Sequence, residues 1–354
     1  MGRLPFVYQG NLPWLDERTI LLVRHGSHAY GTAIATSDLD YKGVAIPPRP
    51  YFLGFHQVFE QAELREPVDA VIYDIRKFFR LACECNPSII EALHTAPDDV
   101  VVSTPAGERL RESASLFLSR KARHTFSGYA KAQLKRIKGH YSWLMHPPEG
   151  PPTRAAFGLP ETSTLSPETR DAAFAAIQKQ LDRWQVDLSA LEPAARIALE
   201  NTLAERWAAV DAWKLAANHI GLDANFIEAL DRERRFKAAQ RHWQQYLEWK
   251  AHRNPARAAL EEKYGFDTKH AAHLVRLLRM AHEIIGEGRV LVRRPDAAEL
   301  RAIRDGAWSY EALVEYAERM DQALESLVER SPLPHSPDRV ALDRLCIELV
   351  EMYL

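Results

Sequence analysis

The segment that decides the fold reads GSHAYGTAIATSDLD, from Gly26 to Asp40. Residues 19–23 in front of it are apolar and partly β-branched, which favours a buried strand that ends in a turn at Gly26. Residues 38–46 alternate between polar and apolar side chains before two prolines, so they predict a second strand. Residues 27–35 are long enough for one short helix. The segment therefore predicts a strand, a turn, a short helix and a second strand.

The parts of the chain before and after residue 104 differ in their secondary-structure signals. Residues 68–75 predict a third strand in the first part, whereas strand signals almost vanish in the second. Apolar side chains at helical spacing predict helices over residues 76–82, 88–93, 124–138, 269–285, 297–303, 309–327 and 336–354, and several more over 171–249. We expect an α+β fold with a sheet domain over residues 1–103 and a mostly helical domain over residues 104–354, which contains a proline-rich loop near residues 145–168.

The composition is that of an ordinary soluble protein. Hydrophobic residues make up 46% and charged residues 27% of the 354 residues, which excludes a disordered or collagen-like chain. The 46 Lys and Arg nearly balance the 48 Asp and Glu, so a uniformly basic nucleic-acid binder is excluded but a local basic surface is not. Three cysteines are too few for a disulfide framework or a four-thiolate zinc site. Because the sequence has no apolar leader and no membrane-length apolar run, we expect a cytoplasmic protein without a membrane partner.

Two carboxylates in the deciding segment are spaced to share a metal ion. Side chains alternate along a strand, so Asp38 and Asp40 are expected on the same face. Neighbouring carboxylates repel each other unless a cation lies between them. Mg²⁺ requires oxygen ligands and commonly completes its shell with phosphate oxygens of the substrate. Asp38 and Asp40 are therefore predicted as magnesium ligands.

The turn at Gly26 and Ser27 supplies the complementary chemistry. Glycine lets a phosphate approach the backbone closely, and backbone N–H groups with a small hydroxyl can hold that phosphate. A phosphate site next to a metal site suggests nucleotidyl transfer, in which two cations bind the attacking and leaving oxygens of an in-line displacement. An isolated Asp-x-Asp or Gly-Ser pair is usually a surface turn, but both at this spacing between two strands favour catalysis.

These residues resemble a known family signature. An apolar strand, Gly26-Ser27, about ten residues and then Asp38-Leu39-Asp40 look like the signature of the DNA polymerase beta-like nucleotidyltransferase superfamily. More narrowly, residues 26–31 with residues 37–40 and Gly43-Val44 resemble the RNA-repair-pathway (RlaP) nucleotidyltransferase family. Further matching stretches are residues 73–79 with Asn86-Pro87 and Glu91, residues 128–134, and residues 266–280.

The resemblance implies an enzyme and the class of its substrates. The domain over residues 1–103 would be the nucleotidyltransferase domain, which moves a nucleoside monophosphate from a nucleoside triphosphate such as ATP to an acceptor hydroxyl and releases pyrophosphate. The cofactor would be Mg²⁺, as two ions, with Mn²⁺ as an alternative. The resemblance points to an RNA acceptor, a tRNA 3′ end, in RNA repair. The alternatives are a protein hydroxyl, as in toxin–antitoxin systems, a small-molecule hydroxyl, and a catalytically inactive nucleotide-binding module.

The resemblance also implies a third carboxylate on a neighbouring strand, where it completes the metal site and takes the proton of the attacking hydroxyl. Asp69 and Asp74 compete for this role, and alternation places them on opposite faces of the third strand because they are five positions apart. Asp69 is preferred, because Asp74 stands where the chain enters the next helix and can cap it. The lesser candidates are Glu60, Glu63 and Glu66.

Two groups of cations are candidates for binding a polyanion. Residues 121–138 contain six Lys and Arg and no acid, which fits either a solvated helix face or a surface for a triphosphate or a nucleic-acid backbone. On the following predicted helix, Lys269, His273 and Arg276 lie within about 60° of each other and opposite the apolar stripe, so we expect this face to point away from the core. Lys269 and Arg276 are predicted to bind the nucleotide, and the resemblance adds His270.

Overall fold

A computed structural model describes residues 4–66, 68–163, 165–189, 212–253 and 255–354. The chain divides into two compact units, of which the first combines Met1–Met145 with Asn254–Leu354 and the second is His146–Arg253. The predicted α+β class, an N-terminal sheet with helices followed by a mostly helical region, is confirmed. The domain boundary placed between residues 103 and 104 stays a prediction.

The sheet lies in the first unit. Its strands are Thr19–His25 (β1), Asp40–Ala45 (β2), Gln61–Leu64 (β3), Asp69–Asp74 (β4) and Val100–Ser103 (β5), in the spatial order β3-β4-β2-β1-β5. β2 and β4 are parallel, and the other neighbouring pairs are antiparallel. The sequence predicted β1, β2 and β4 but not the edge strands β3 and β5, because four residues are too few to establish an alternating pattern.

The helices follow one another along both units. Those before residue 146 are Leu15–Arg18 (α1), Gly26–Tyr30 (α2), Pro50–Leu53 (α3), Ile75–Cys83 (α4), Pro87–Leu93 (α5), Pro105–Glu112 (α6) and Ala122–Met145 (α7). The second unit contains Pro167–Ser189 (α8), Ala212–His219 (α9) and Ala224–Ala251 (α10). The first unit then continues with Pro255–Tyr264 (α11), Thr268–Glu287 (α12), Ala297–Arg304 (α13), Tyr310–Glu329 (α14) and Arg339–Glu351 (α15). Short 3₁₀ helices span Pro97–Asp99, Ala114–Phe117 and Ala155–Phe157.

Three boundaries differ from the sequence-based expectation. β2 begins at Asp40, so Asp38 lies in the loop just before the strand rather than on it. α2 ends at Tyr30, well before residue 35, because Gly31 takes the left-handed conformation with a φ of 74°. α7 runs to Met145, beyond the helix end predicted at residue 138, and the proline-rich loop follows it close to its predicted start. Part of the helical stretch predicted over residues 171–249 lies outside the described residues.

The sheet is covered on both faces. Val23 and Val44 belong to the main core, which they share with Phe78 of α4. Leu22 and Ile72, on the opposite face, belong to a second core formed with N-terminal residues such as Leu15. Every residue of β1 except Arg24 is buried as a result. A central strand buried on both faces holds the turn that follows it in a fixed place.

α12 organises the C-terminal part of the first unit. It packs against α7, α13 and α14, and Leu274 and Ile284 on it are fully buried. The Asp267 side chain caps it by accepting a hydrogen bond from the backbone N–H of His270 at 3.0 Å. Its N-terminal half reaches α2 and α5, because Arg276 contacts Tyr30 and Glu91. α12 thereby brings side chains from late in the sequence to the end of β1.

The second unit is a separate helical cluster in its described residues. α8, α9 and α10 surround a small core that includes Ile177 and Leu230. Arg154 donates hydrogen bonds to both carboxylate oxygens of Glu233, the shorter at 2.6 Å. Among the residues described in both units, no helix is long and apolar enough to cross a membrane.

Candidate active site

The register of the two parallel strands brings two predicted metal ligands together. Asp40 begins β2 and pairs with Asp69, which begins β4, so the two residues stand side by side at a strand spacing of about 4.8 Å. Burial raises the pKa of Asp40, and the Asp69 and Asp38 carboxylates raise it further. Asp38, Asp40 and Asp69 therefore share one negatively charged environment at the N-terminal ends of β2 and β4.

Asp74 lies at the opposite end of β4. Its buried carboxylate accepts hydrogen bonds from the backbone N–H groups of Arg76 at 2.8 Å and Lys77 at 3.3 Å, and so caps α4. Glu60 forms an ion pair with Lys77 near this end. Of the two main candidates for the third carboxylate, Asp69 is the one beside Asp40.

Gly26 and Ser27 follow β1 directly. Gly26 has a φ of 66°, and a Cβ atom at this position would overlap Oδ2 of Asp40. Glycine is therefore required both for the backbone conformation and for the close approach of the Asp40 carboxylate. Gly26 and Asp40 are therefore in direct contact, whereas the sequence showed only their separation along the chain.

A cavity of about 330 Å³ lies between this turn and the helices α12 and α13. Its polar lining residues are His25, Ser27, Tyr30, Thr32, Thr36, Ser37, Asp38, Asp40, Lys269, His273, Arg276, Arg301 and Arg304. The carboxylates of Asp38 and Asp40 and cations from two helices thus line one small space. Asp69 does not line the cavity. It lies next to Asp40 on the neighbouring strand, β4.

Arg276 belongs to a buried network in the cavity wall. Its Nη1 donates to Glu91 Oε1 at 2.6 Å, and its guanidinium carbon lies 3.7 Å from the centre of the Tyr30 ring. Tyr30 Oη donates to Glu91 Oε2 at 2.5 Å, and His25 Nε2 is 3.3 Å from the same oxygen. Burial alone would raise the pKa of Glu91, but Arg276 and His25 hold it well below its ordinary value. The network joins α2, α5 and α12 around an ionised carboxylate.

This network corrects one expectation about the cationic face of α12. Lys269 and His273 are exposed and line the cavity, as helical periodicity predicted. Arg276 was expected on the same outward face, but it is only 3% exposed and is neutralised by Glu91. Periodicity correctly separated Arg276 from the apolar stripe, but it gave no sign that α5 would cover it.

His270 is held by protein groups and does not line the cavity. Its Nδ1 donates to Oδ2 of Asp267, which leaves Nε2 to accept a hydrogen bond from Arg136 Nη1 at 3.2 Å. His270 is 7% exposed. These contacts join α12 to α7, and a role of His270 in nucleotide binding stays a prediction.

Three basic residues of α7 pair with acids on α14. Ion pairs join Arg123 to Glu325 at 2.6 Å, Lys131 to Asp321 at 2.9 Å and Lys138 to Glu318 at 3.5 Å. None of the basic residues between positions 121 and 138 lines the cavity. Of the two interpretations of this segment, the contacts favour a paired and solvated helix face.

Sequence reasoning missed three cations near the carboxylates. Lys42 follows Asp40 by two residues on β2, and strand alternation could have placed it on the same face. Burial lowers the pKa of Lys42, while Asp69 and Asp40 partly oppose that shift. Arg301 and Arg304 line the cavity from α13, and their spacing of three residues puts them on one side of the helix. That spacing is common on solvated helices, so it alone could not have identified them.

The acidic end of the cavity fits a hard divalent cation. In the part of the chain that the structure describes, no three His, Cys, Asp or Glu side chains are already grouped as a metal site. The raised pKa of Asp40 shows, however, that burial and the nearby carboxylates disfavour its charged form, and a cation between these groups would remove that cost. The carboxylate oxygens of Asp38 and Asp40 in the cavity wall are donors that suit Mg²⁺.

Comparisons with known proteins match the N-terminal part of this chain. Residues 12–143 match the family described as the RNA repair pathway DNA polymerase beta family, RlaP. An uncharacterized 38.9 kDa protein encoded in the nrdC-mobD intergenic region of enterobacteria phage T4 is 27% identical over 135 residues. The alignment covers 34% of this chain and only 40% of the phage protein. No solved structure matches significantly.

The matched region contains the whole sheet, the Gly26-Ser27 turn and all three aspartates. The family suggests nucleotidyltransferase activity and partners that are nucleoside triphosphates and nucleic acids. The residues that line the cavity from α12 and α13 lie beyond the match. Over residues 12–143, this chain therefore resembles the RNA repair pathway DNA polymerase beta family.

Proposed function

We propose that this protein is a Mg²⁺-dependent nucleotidyltransferase that transfers a nucleoside monophosphate from a nucleoside triphosphate to the 3′ hydroxyl of an RNA, in particular a tRNA. One observation carries the proposal: a small cavity sets the carboxylates of Asp38 and Asp40 opposite a group of cations, with the Gly26-Ser27 turn in its wall. Such a cavity suits a ligand that carries several phosphates and a divalent cation.

The three carboxylates would have two roles, metal binding and acceptance of a proton. Asp38 and Asp40 line the cavity, where they would hold Mg²⁺ against the triphosphate, and Asp69 would complete the ligand set. Bound there, Mg²⁺ would neutralise charge on the phosphates and on the oxygens that attack and leave. Asp69, exposed and outside the cavity, would accept the proton of the acceptor hydroxyl.

The phosphate chain would lie between the turn and the helices. The Ser27 hydroxyl is a hydrogen-bond donor at the cavity wall, and Gly26 leaves room for a close approach of the backbone. Lys269 is exposed at the opposite wall and can bind a phosphate oxygen. Arg276 would act indirectly, because Glu91 already neutralises it, by fixing Tyr30 and with it α2.

An RNA acceptor is supported by the family and by the accessibility of Asp69. The matched family is described as an RNA repair pathway family. Asp69 is exposed at the beginning of β4, so a large acceptor can reach it from outside while the nucleotide fills the cavity. A protein or small-molecule hydroxyl would use the same chemistry, so the acceptor must be identified by experiment.

The test is transfer of label from each of the four nucleoside triphosphates, with Mg²⁺, to total RNA or to total cell protein. We expect label in RNA, and loss of at least about a hundredfold in rate when Asp40→Asn removes one metal ligand. The matched control is Asp98→Asn, which changes an exposed aspartate outside the cavity and should leave the rate unchanged. Label in protein alone would contradict the RNA acceptor, and full activity of the Asp40→Asn variant would contradict the metal site.

A further inference from the structure

We propose that Arg301 and Arg304 of α13, together with Lys269 of α12, bind the β- and γ-phosphates of the nucleoside triphosphate and then the pyrophosphate that leaves. This inference rests on the proposed function, since it names the donor contacts of the same site. The sequence already predicted that Lys269 binds the nucleotide, whereas Arg301 and Arg304 are newly assigned and lie beyond the family match, which ends at residue 143.

The arginines around α13 fall into two groups according to their partners. Four of them pair with carboxylates: Arg279 with Asp296 and Glu299, Arg289 with Glu287, Arg293 with Asp99, and Arg294 with Glu283 and Asp296. Arg301 and Arg304 line the cavity, and neither forms an ion pair with any described residue. The same holds for Lys269. Of the Lys and Arg side chains that line the cavity, Arg276 is buried and paired with Glu91, whereas Lys269, Arg301 and Arg304 have no carboxylate partner among the described residues.

The backbone contacts of these residues bring them to one wall. Arg301 Nη1 donates to the carbonyl oxygen of Gly31 at 3.0 Å, which places its guanidinium at the end of α2 and leaves its positive charge unneutralised. The Thr268 hydroxyl donates to the carbonyl oxygen of Arg304 at 2.6 Å, so the end of α13 is tied to the start of α12, one residue before Lys269. Cations from two helices are therefore held near each other before any ligand binds.

The cavity selects a compact polyanion. At about 330 Å³ it is near the lower end of the roughly 300–1,000 Å³ typical of small-molecule sites, too small for a polymer. Asp38 and Asp40 would repel a singly charged anion, whereas a triphosphate can share a divalent cation with them and extend its remaining charge towards the arginines. Guanidinium groups suit phosphate oxygens, because they can donate two parallel hydrogen bonds.

The role of the arginines follows from where negative charge increases during nucleotidyl transfer. The acceptor oxygen forms a bond to the α-phosphorus, its proton passes to Asp69, and the bond from the α-phosphorus to the bridging oxygen breaks. Pyrophosphate leaves with that electron pair, so negative charge increases on the β-phosphate side. Arg301 and Arg304 lie where this charge would be stabilised.

The experiment measures binding of inorganic tripolyphosphate with Mg²⁺ by calorimetry, so it needs no acceptor. Arg301→Gln and Arg304→Gln should each weaken binding about tenfold or more, and Arg301→Lys should weaken it less, because it keeps the charge but not the paired donors. Arg289→Gln is the matched control, since Arg289 is exposed, paired with Glu287 and outside the cavity. Circular dichroism spectra would verify that each variant is folded.

The outcomes separate this inference from the proposed function. Tripolyphosphate binding that is absent in the unmodified protein, or equal in the unmodified protein and the folded double arginine variant, would overturn the inference. A double variant that transfers nucleotides with an unchanged KM for the triphosphate would overturn it while leaving the proposed function intact. Arginine-dependent tripolyphosphate binding in a protein that transfers no nucleotide would support the inference and contradict the proposed function.

Discussion

Two groups of cations in the first unit differ in what surrounds them. On α7, Lys131 lies 2.9 Å from Asp321, and its neighbours Arg123 and Lys138 also pair with acids of α14. In the cavity, Arg301 and Arg304 have no carboxylate partner among the described residues. The sequence makes the first group conspicuous and the second inconspicuous. Clustering of charge along the chain is therefore a weaker guide to a ligand than the absence of a counter-charge in space.

Arg276 shares one property with each of the two groups of cations. Arg276 lines the cavity, as Arg301 does, but it pairs with Glu91 at 2.6 Å, as the α7 cations pair with α14. The pair is buried, whereas the α7 pairs are largely exposed. Removing one partner of a buried pair is costly, and exposed pairs contribute little. Substitutions at the three places should therefore have very different effects.

The largest effect on activity is expected from the acidic half of the cavity, with Gly26→Ala. The new Cβ would overlap the Asp40 carboxylate, and the φ of 66° disfavours any side chain, so the turn and the metal ligand must move apart. Because displacements of about 1 Å in an active site can cost about a hundredfold in rate, we expect at least that loss in kcat.

The control for this variant lies on the paired helix. At Gly128 of α7 a Cβ would meet no atom within 4 Å, so Gly128→Ala should leave kcat unchanged and stabilise the protein by about 0.5–1 kcal/mol. Steady-state kinetics and thermal unfolding check both variants. Equal kcat values for Gly26→Ala and the unmodified protein would show that contact between the turn and Asp40 is unimportant.

The largest effect on stability is expected from Glu91→Gln, which leaves the Arg276 charge buried without its partner. We expect a loss of about 3–5 kcal/mol in the free energy of unfolding at neutral pH, measured by denaturant titration. Arg276 and His25 hold the pKa of Glu91 below its ordinary value of 4.5, so its ionisation stabilises the folded state above that pH. This contribution decreases as the pH falls below about 4.5, and the difference between the two proteins should shrink accordingly.

A pH-independent difference would contradict this assignment, because it would mean that packing of the side chain, and not its charge, is what the substitution removes. Arg109 and Glu348 supply the matched control, since they form an exposed pair at 3.1 Å. Glu348→Gln should change the free energy of unfolding by less than about 1 kcal/mol.

The sequence predicted the parts of the site that depend on local pattern. The strand, the Gly26-Ser27 turn and the Asp38-x-Asp40 spacing lie within a short segment, and Asp69 was preferred over Asp74 because Asp74 stands where it can cap the next helix, as it does in the structure. Contacts between distant residues could not be predicted in this way. Periodicity places Arg276 on the polar side of α12, but its burial depends on Glu91, which lies 185 positions earlier in the sequence.

The partners of the α7 cations and the position of Arg301 and Arg304 also depend on contacts between residues that are distant in the sequence. Three of the six cations between residues 121 and 138 pair with acids of α14, which lies about 180–200 positions further along the chain, and no local pattern reveals this pairing. Arg301 and Arg304 look like ordinary surface residues of an amphipathic helix until the fold places α13 against α2. Side-chain pairing across helices is a property of tertiary structure, and it decides which charges remain free to bind a ligand.

The smallest effect is expected from Lys131→Gln combined with Lys138→Gln. Exposed ion pairs are worth about 0–1 kcal/mol, and both lysines lie outside the cavity, so stability and KM for the triphosphate should change little. RNA affinity, measured as a function of salt concentration, is the decisive measurement for this pair. If α7 contacted the RNA backbone, losing two phosphate contacts would lower the slope of log K against log salt by about 1.4–1.8. An unchanged slope is expected, because α14 already supplies the counter-charge; a lower slope would mean that RNA displaces Asp321 and Glu318 and that the pairing does not decide which cations bind.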